Sequence, residues 1–411
     1  MRRVSTDFMN TDMQYWLRRN EDSMASMQSR LSRQERIENP RDDPMGAARA
    51  VRYDSVVGRL QRYEENTLYA RDRAAIAEGY MRQANDIMQR VRELAVTGAT
   101  GTFTKEDTAA MAVEVDQLLG ELVSLANARG PDGDFLFAGD KARTEPFRTI
   151  TGYSEGAGAA VTTGIEYLGG LGTPAAEISE GSYIPMNLPG DEVFWAERQR
   201  IASTFDASGY RVMDSASIFV DGHKIDLRPG DTVHAIIARI NDSGAPVKAS
   251  LDPTRASLVL EATDAHRVRL EDGGSVLADL GVLSGSGVAS DYSPTARVSG
   301  GSLFDTVVSL RDALQKGDFM DIGSRIMSTL DAGMQNLGRR LAEAGAVVER
   351  LDSAALRLNR EIPDTTRLLS AEKDIDMAQA ITDFKMMEYA HTATLQMGGR
   401  VLQKSLLDFL R

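Results

Sequence analysis

The sequence predicts an α+β protein: a long α-helical coiled-coil rod built from both chain ends, with a β-rich outer domain inserted between them. Apolar or small residues recur at alternating steps of three and four from Tyr53 to Ala95 and again from Met327 to Ile362. This is the spacing of a coiled-coil seam. Between the two stretches lies a Gly-, Thr- and Asp-rich region without helical periodicity. Helices so far apart in sequence can pack together only if the region between them loops out as an insert.

A first apolar stripe predicts a helix over residues 5–38. Its seam residues are Met13, Leu17, Met24, Met27 and Leu31. Asn20 lies between them, and one polar seam residue of this kind specifies register. Asn39-Pro40 is expected to break the helix, because the residue before a proline disfavours the helical conformation. Asp43 is then a good N-cap and Pro44 suits the first position of a second helix, which is expected to run to about Thr97.

The middle of the chain predicts one more helix and then strands. Thr104–Asp107 resembles a capping box, and the following stripe from Ala112 to Ala126 predicts a third helix. Phe135–Phe137 is interpreted as a strand. Further candidate strands are Ser217–Val220, Lys224–Leu227, Pro246–Leu251 and Ser257–Ala262. Asp221-Gly222-His223 is a hairpin signal between the first two, and Asp231-Thr232 is expected to cap a helix over Val233–Ile240.

Helical periodicity resumes at Leu303–Leu314 and continues in the stripe from Met327, which Pro363 is expected to interrupt. Asp374 or Asp376 can cap a final helix through residue 410. Its apolar seam consists of Met377, Ile381, Phe384, Leu395, Leu402, Leu406 and Phe409. Glu388 and His391 fall on the same stripe, which favours partners in other subunits over burial in a single chain.

No motif in the sequence indicates an enzyme, a cofactor site or a metal site. The absence of cysteine excludes disulfides, thiolate ligands and cysteine nucleophiles, and the four histidines do not have metal-ligand spacing. The formal net charge of −13 argues against binding to nucleic acid or to anionic membranes. No stretch approaches the roughly 18 apolar residues of a transmembrane helix. The basic N-terminus lacks a following apolar run, so no cleaved secretory signal is expected.

Several ordered motifs resemble the bacterial flagellin superfamily over nearly the whole chain. The segment RIENPRDDPMGAARA, residues 36–50, resembles the turn between the two N-terminal helices of that superfamily. RELAVTGATGTFTKED and ELVSLANARGPDGDFLFAGDKARTEPF resemble its helix-loop-helix and the hairpin that follows. Pro44-Met45-Gly46, NLPGDEVF and the ending SLLDFL are similar to its hook–filament junction branch. A segment centred on Ile240-Asn241 looks like the Ile-Asn module inserted in several of these proteins.

The resemblance implies a division of the chain into concentric parts. Residues 1–42 would form an N-terminal arm in the inner tube, and residues 371–411 the C-terminal helix beside it. The rod would contain the helices and hairpin of residues 43–140 and the helices of residues 301–370. Residues 141–300 would form the β-rich outer domain, with the Ile-Asn module at about 215–285. The breaks at Asn39, Pro40, Asp43, Pro44 and Pro363 would be hinges between inner tube and rod.

The resemblance also implies a structural role in the flagellum, with the seam residues of both terminal helices as an assembly interface. The expected partners are the hook-side junction protein (hook-associated protein 1), flagellin, copies of the chain in a ring, an export chaperone and the type III export apparatus. No partner in nucleic acid or membrane is expected. The flagellum would be external or periplasmic. Two alternatives stay open: a filament flagellin, and a cytosolic coiled-coil scaffold with a β insert.

Overall fold

The computed structural model describes residues 6–153, 160–170, 172–285 and 292–409, with side chains described between residues 11 and 397 of these ranges. The chain divides into two compact units, one of residues 1–65 with 355–411 and one of residues 66–354. Long helices occupy both ends and small antiparallel sheets lie between them, which confirms the predicted fold class. The finer division into arm, rod and outer domain stays a prediction.

The terminal unit is helical. It contains α1 (Thr6–Arg33), the first part of α2 (Pro44–Ala99), the last part of α9 (Met327–Lys373) and α10 (Met377–Phe409). Helix α1 packs against α10. The expected end of α1 at residue 38 is wrong, because Gln34 adopts φ 61°, a left-handed conformation that a right-handed helix cannot continue through. Asn39 and Pro40 therefore lie in the connection between α1 and α2, beyond the helix end.

Pro363 does not interrupt its helix, contrary to the sequence-based expectation. It lies inside α9, which continues to Lys373. An interior proline removes one backbone hydrogen bond and crowds the carbonyl four residues earlier, which costs roughly 3 kcal/mol. The remaining hydrogen bonds of this 47-residue helix maintain it. The break on the C-terminal side comes at Asp374–Asp376, and Asp376 caps α10 as predicted, accepting hydrogen bonds from Ala378 N and Gln379 N.

Four helices of the larger unit share one apolar core. They are α2, α3 (Lys105–Ala126), α7 (Leu303–Lys316) and α9. Thr104 and Asp107 form the predicted capping box at the start of α3. The predicted stripes are buried in this core, among them Met81, Met88, Val91, Val115, Leu119, Leu122, Leu330 and Leu337. A short α8 (Phe319–Asp321) and a π-helical turn (Ile322–Ile326) precede α9.

Two hairpins and a short helix follow α3. The hairpins are β1 (Phe147–Gly152) with β2 (Val161–Tyr167), and β3 (Ala175–Ser179) with β4 (Ser182–Pro185); α4 spans Gly190–Val193. The strand predicted at Phe135–Phe137 is wrong: these buried residues form turns held by isolated bridges. Left-handed turns at Gly133 (φ 83°) and Gly139 (φ 60°) leave too few extended residues between them for a ladder.

Residues 200–299, called the β module here, have their own apolar core. Their elements are β5 (Arg200–Ala202), β6 (Ala216–Val220), β7 (His223–Leu227), α5 (Val233–Asp242), β8 (Val247–Leu251), β9 (Leu258–Ala262), β10 (Leu270–Asp272), α6 (Val276–Asp279) and β11 (Arg297–Ser299). The sheets have the orders β10-β6-β7 and β11-β5-β9-β8. The four strands predicted here and the Thr232-capped helix are confirmed.

The hairpin predicted at Asp221-Gly222-His223 is also present. Val220 pairs with His223, so the loop has two residues, Asp221 (φ 47°) and Gly222 (φ 79°). Positive φ at both positions is the type I′ geometry that matches the twist of the two strands. The turn fixes the direction of the Asp221 side chain.

Candidate assembly interface

One face of α1 carries all the seam residues predicted for it. Met13, Leu17, Met24, Met27 and Leu31 are half-buried, while most residues between them are exposed. Asn20 shares this face and is half-buried as well. Steps of three and four residues place side chains on one stripe of a helix, and this stripe lies on the helix that packs against α10.

Only part of the predicted α10 seam is covered. Phe384 and His391, which were both placed on the predicted stripe, are half-buried and belong to a covered face with Ala380, Met387 and Thr394, which the predicted stripe left out. Ala380 is 3% exposed. These five residues recur at steps of four and three, whereas the predicted stripe stepped from Phe384 to Glu388 and so followed a neighbouring line of the helix. His391 is half-buried within this chain, contrary to the expectation drawn from its polarity, whereas Glu388 is exposed.

A second stripe on α10 is apolar and exposed. It contains Met377, Ile381 and Leu395, with Ile381 49% and Leu395 48% exposed. Ile381, Glu388 and Leu395 are seven residues apart, so they follow one line beside the covered face. Burying side chains of this size stabilises a contact by about 1.5–3 kcal/mol each. The terminal unit therefore presents an apolar stripe of the kind that a further helix would cover. Leu402, Leu406 and Phe409 continue in α10, but their side chains lie outside the described residues.

The connections at the base of the two terminal helices are hydrogen-bonded to each other. Glu35 and Asp374 form an antiparallel bridge. Arg36 N donates to Lys373 O at 2.7 Å, and Ile375 N donates to Gln34 O at 3.0 Å. This pairing is the joint between α1 and α10, and it joins two chain segments more than 330 residues apart in the sequence.

Ion pairs surround this joint. Lys373 contacts Glu35 at 2.9 Å, and Glu372 contacts both Arg49 at 3.0 Å and Arg36 at 3.8 Å. Their side chains are partly exposed, so each pair contributes little alone, about 0–1 kcal/mol. Arranged as a network around paired backbones, they favour one geometry of the joint.

Asp43 begins α2 at the same joint, as its N-cap assignment predicts. Its Oδ1 accepts from Gly46 N at 2.9 Å, and its Oδ2 accepts from Arg36 Nη1 at 3.2 Å. The Gly46 hydrogen bond is the main reason that the pKa of Asp43 is lowered. Asn39 closes a turn, with Asp42 N donating to its carbonyl at 2.9 Å. Whether Asn39, Pro40, Asp43, Pro44 and Pro363 act as hinges stays a prediction.

A pocket of about 240 Å³ lies beside the joint. Its walls include Ile37, Pro40, Ala50, Val51 and Leu369, with Lys373 and Asp54 at the edge. The apolar walls suit an apolar side chain from a partner more than a polar ligand.

Within the described ranges, no helix is long and apolar enough to cross a membrane. Within the same ranges, no group of three or more His, Cys, Asp or Glu side chains could hold a metal ion. The chemistry of this site is that of apolar stripes, backbone pairing and surface charge.

Two protein-family models match this chain. Residues 4–142 match the bacterial flagellin N-terminal helical region, and residues 215–264 match the flagellin hook IN motif. The second range lies within the β module and contains β6 to β9.

The similar proteins include both hook-associated proteins and flagellins. Flagellar hook-associated protein 3 of Salmonella typhimurium is 26% identical over 164 residues, 40% of this chain and 52% of that protein. Flagellin FlaB1 of Treponema pallidum is 33% identical over 123 residues, 30% of this chain and 43% of that protein. A solved structure of hook-associated protein 3 from Legionella pneumophila is 16% identical, with a TM-score of 0.47, covering 78% of this chain and 97% of that one. The chain thus spans about half the length of the curated relatives it matches.

Proposed function

We propose that this chain, whose residues 4–142 and 215–264 match the two flagellin family models, is a structural subunit of the flagellum that joins the hook to the filament. The observation that carries this proposal is the similarity to hook-associated protein 3, which extends over 164 residues against 123 for the T. pallidum flagellin. In this role the chain binds hook-associated protein 1 on one side and flagellin on the other, and contacts copies of itself in a ring.

The mechanism is mechanical coupling between subunits, without catalysis. The exposed α10 stripe gives each subunit an apolar face, and covering it with helices of neighbours would supply the association energy. Residues 1–42 and 371–411 form the inner part of the ring in this proposal. Export proceeds through the flagellar type III apparatus with a chaperone, and the location is the flagellum, external or periplasmic.

The proposal is tested by adding the purified protein to isolated hooks that carry hook-associated protein 1 and imaging their tips. We expect a thin collar that stops growing and then accepts flagellin. Open-ended filaments would make the chain a filament flagellin, the alternative that its similarity to FlaB1 supports. Absence of binding together with a stable dimer in solution would favour the coiled-coil scaffold.

The assembly interface has its own test. Ile381→Asp and Leu395→Asp place a charge on the exposed α10 stripe, so we expect both variants to fold normally and to be lost from the collar. Burying an unpaired charge costs several kcal/mol. Ala390→Asp is the matched control, because it adds the same charge at an exposed position on the opposite face of α10. Normal collars with both stripe variants would refute the stripe as an assembly surface.

A further inference from the structure

A cluster of buried ionisable groups joins the β module to the hairpin and short helix beside the helical core. Asp221, in the β6–β7 turn, is its centre. Its Oδ2 lies 3.1 Å from His266 Nε2, and its Oδ1 accepts from Arg269 N at 2.7 Å. The side chains of Asp221 and His266 are 6% and 7% exposed, so this pair is shielded from water.

Arg269 carries the contact across to the end of β2. Its Nη2 donates to Gly169 O at 3.2 Å. The neighbouring Tyr167 hydroxyl donates to Gly170 O at 3.0 Å and accepts from Gly190 N at 3.2 Å. Residues 266–269 of the β module thus meet the segment after β2, which is hydrogen-bonded to the start of α4.

Asp191, in α4, is the unusual member of this cluster. It is 2% exposed, and its Oδ1 has no hydrogen-bond partner among the described residues. Burial is the main cause that raises the pKa of Asp191 to about 7, and the negative charge of Glu192 adds to it. The charged and titratable groups that face Asp191 and His266 are Tyr167, Glu192, Asp221 and Arg269, with Asp140 beyond Tyr167 and Arg340 paired to Glu192.

The surroundings of His266 raise its pKa, as they do the pKa of Asp191. Burial by itself would lower the pKa of His266, but the hydrogen bond and charge of Asp221 outweigh it, with Asp191 and Glu192 adding to the effect. The pKa of His266 is therefore raised. Both groups hold their protons more tightly in the folded protein than in the unfolded chain.

We propose that Asp191 and His266 form a proton-dependent lock that holds the β module on the helical core. With both protons present, Asp191 is neutral in its buried site and the His266 cation pairs with Asp221. When the protons leave, a carboxylate is buried beside Glu192 and Asp221, and His266 loses its charge–charge attraction to Asp221. The Asp221–His266 pair lies within the β module, where Asp221 also holds Arg269, and Arg269 reaches Gly169 across the contact. Weakening of that pair and repulsion between Asp191 and Asp221 therefore both loosen the contact between the β module and the segment around α4.

The sign of the pH dependence follows from these two groups. The folded-state pKa of Asp191, about 7, lies above the ordinary aspartate value of about 3.9. Its contribution to stability is therefore complete below the ordinary value and is lost as pH rises from there through about 7. The raised pKa of His266 gives a further loss of stability above the ordinary histidine value of about 6.5. Stability should fall with rising pH across this window, opposite to the acid unfolding that ordinary carboxylates cause.

The chain contains two tryptophans, Trp16 in the terminal unit and Trp195 four residues beyond Asp191. Full-length protein with Trp16→Phe therefore reports on this contact through Trp195 fluorescence alone. We expect its folding equilibrium constant, measured by urea titration, to fall at least about tenfold between about pH 5 and pH 8. Adding Asp191→Asn should remove most of this fall, because the amide cannot ionise.

Asp214→Asn is the matched control, since Asp214 is an exposed aspartate of the same module and loses the same charge. It should leave the pH dependence unchanged. A flat profile before substitution, or parallel profiles with and without Asp191→Asn, would overturn the proposal. If Asp191→Asn does not fold, infrared difference spectroscopy of the Trp16→Phe protein tests the proposal instead. A protonated-carboxyl band that disappears with a midpoint near pH 7 supports the lock, and absence of such a band refutes it.

Discussion

At the scale of single residues, Gly46 shows how tightly the joint of the terminal helices is packed. A Cβ at this position would lie 2.8 Å from Ile37 Cδ1 and would collide with the Asp43 carboxylate that caps α2. Glycine is thus required by close approach, because the cap and the chain before it both fold over this point.

Gly46→Ala should lower the free energy of unfolding of the terminal unit by about 1–3 kcal/mol, the usual range for overpacking. Urea unfolding followed by circular dichroism measures the change. Gly58→Ala is the control, because Gly58 lies in the same helix with open space around it. That substitution should stabilise the helix by about 0.5–1 kcal/mol. Equal effects of the two substitutions would contradict the packing argument.

Arg73 is a buried arginine whose hydrogen bonds join three segments of the chain. It is 5% exposed, and its guanidinium donates to Asn187 Oδ1 at 2.5 Å, Asp132 Oδ2 at 2.7 Å and Phe135 O at 3.0 Å. Arg73 thus ties α2 to the turn after α3 and to the segment before α4.

Arg73→Met should cost about 3 kcal/mol, because it leaves the buried Phe135 carbonyl and Asn187 amide oxygen without their donor. Thermal unfolding measures the loss. Arg71→Met removes a neighbouring arginine whose ion pairs are more exposed, and it should stay within about 1 kcal/mol of the parent protein. A loss for Arg73→Met no larger than for Arg71→Met would show that the three hydrogen bonds add nothing.

At this scale, a contact could be predicted from the sequence where its two residues are close together along the chain. The caps at Asp43, Thr104 and Thr232 each bond a backbone group three residues on, so their spacing is visible in the sequence. Asp221 was predictable only as a turn residue. Its contact with His266 spans 45 positions and depends on two strands that place the turn, so no local pattern contains it.

At the scale of elements, Pro363 shows that a long helix can contain a residue that disfavours helix, because α9 continues through it. It is exposed on α9, ten residues before that helix ends. The helix is long enough that one lost hydrogen bond does not divide it, and so the sequence rule for proline misplaced the break.

Pro363→Ala should raise the free energy of unfolding by about 2 kcal/mol, the helix gain of roughly 3 kcal/mol less the entropy that proline removes from the unfolded chain. Pro44→Ala is the control: at the first helical position no N–H is needed, so stability should stay equal or fall slightly. Denaturant unfolding of both variants measures the difference. A fall in stability with Pro363→Ala would mean that α9 depends on its proline.

At the scale of the whole molecule, periodicity identified the long helices and their buried stripes because one pattern repeats over many turns. It failed where few residues are involved, as at Phe135–Phe137, where flanking left-handed glycines prevent a strand. It also failed to divide the α10 seam into a covered and an exposed stripe, since an apolar residue satisfies either environment. Only the position of α1 distinguishes them.

The paired strands β5 and β11, at which the chain enters and leaves the β module, allow the part between them to be exchanged for another domain. The chain enters through β5 and leaves through β11, and these strands are hydrogen-bonded neighbours, with Ala202 opposite Arg297. Residues 203–296 therefore form one continuous insertion, and the residues on either side of it, Ala202 and Arg297, are adjacent in the sheet. A domain of another length or composition, joined by short linkers, could replace residues 203–296 without moving β5, β11 or the helices that flank them. The β5–β11 pair is therefore a suitable site for inserting foreign domains.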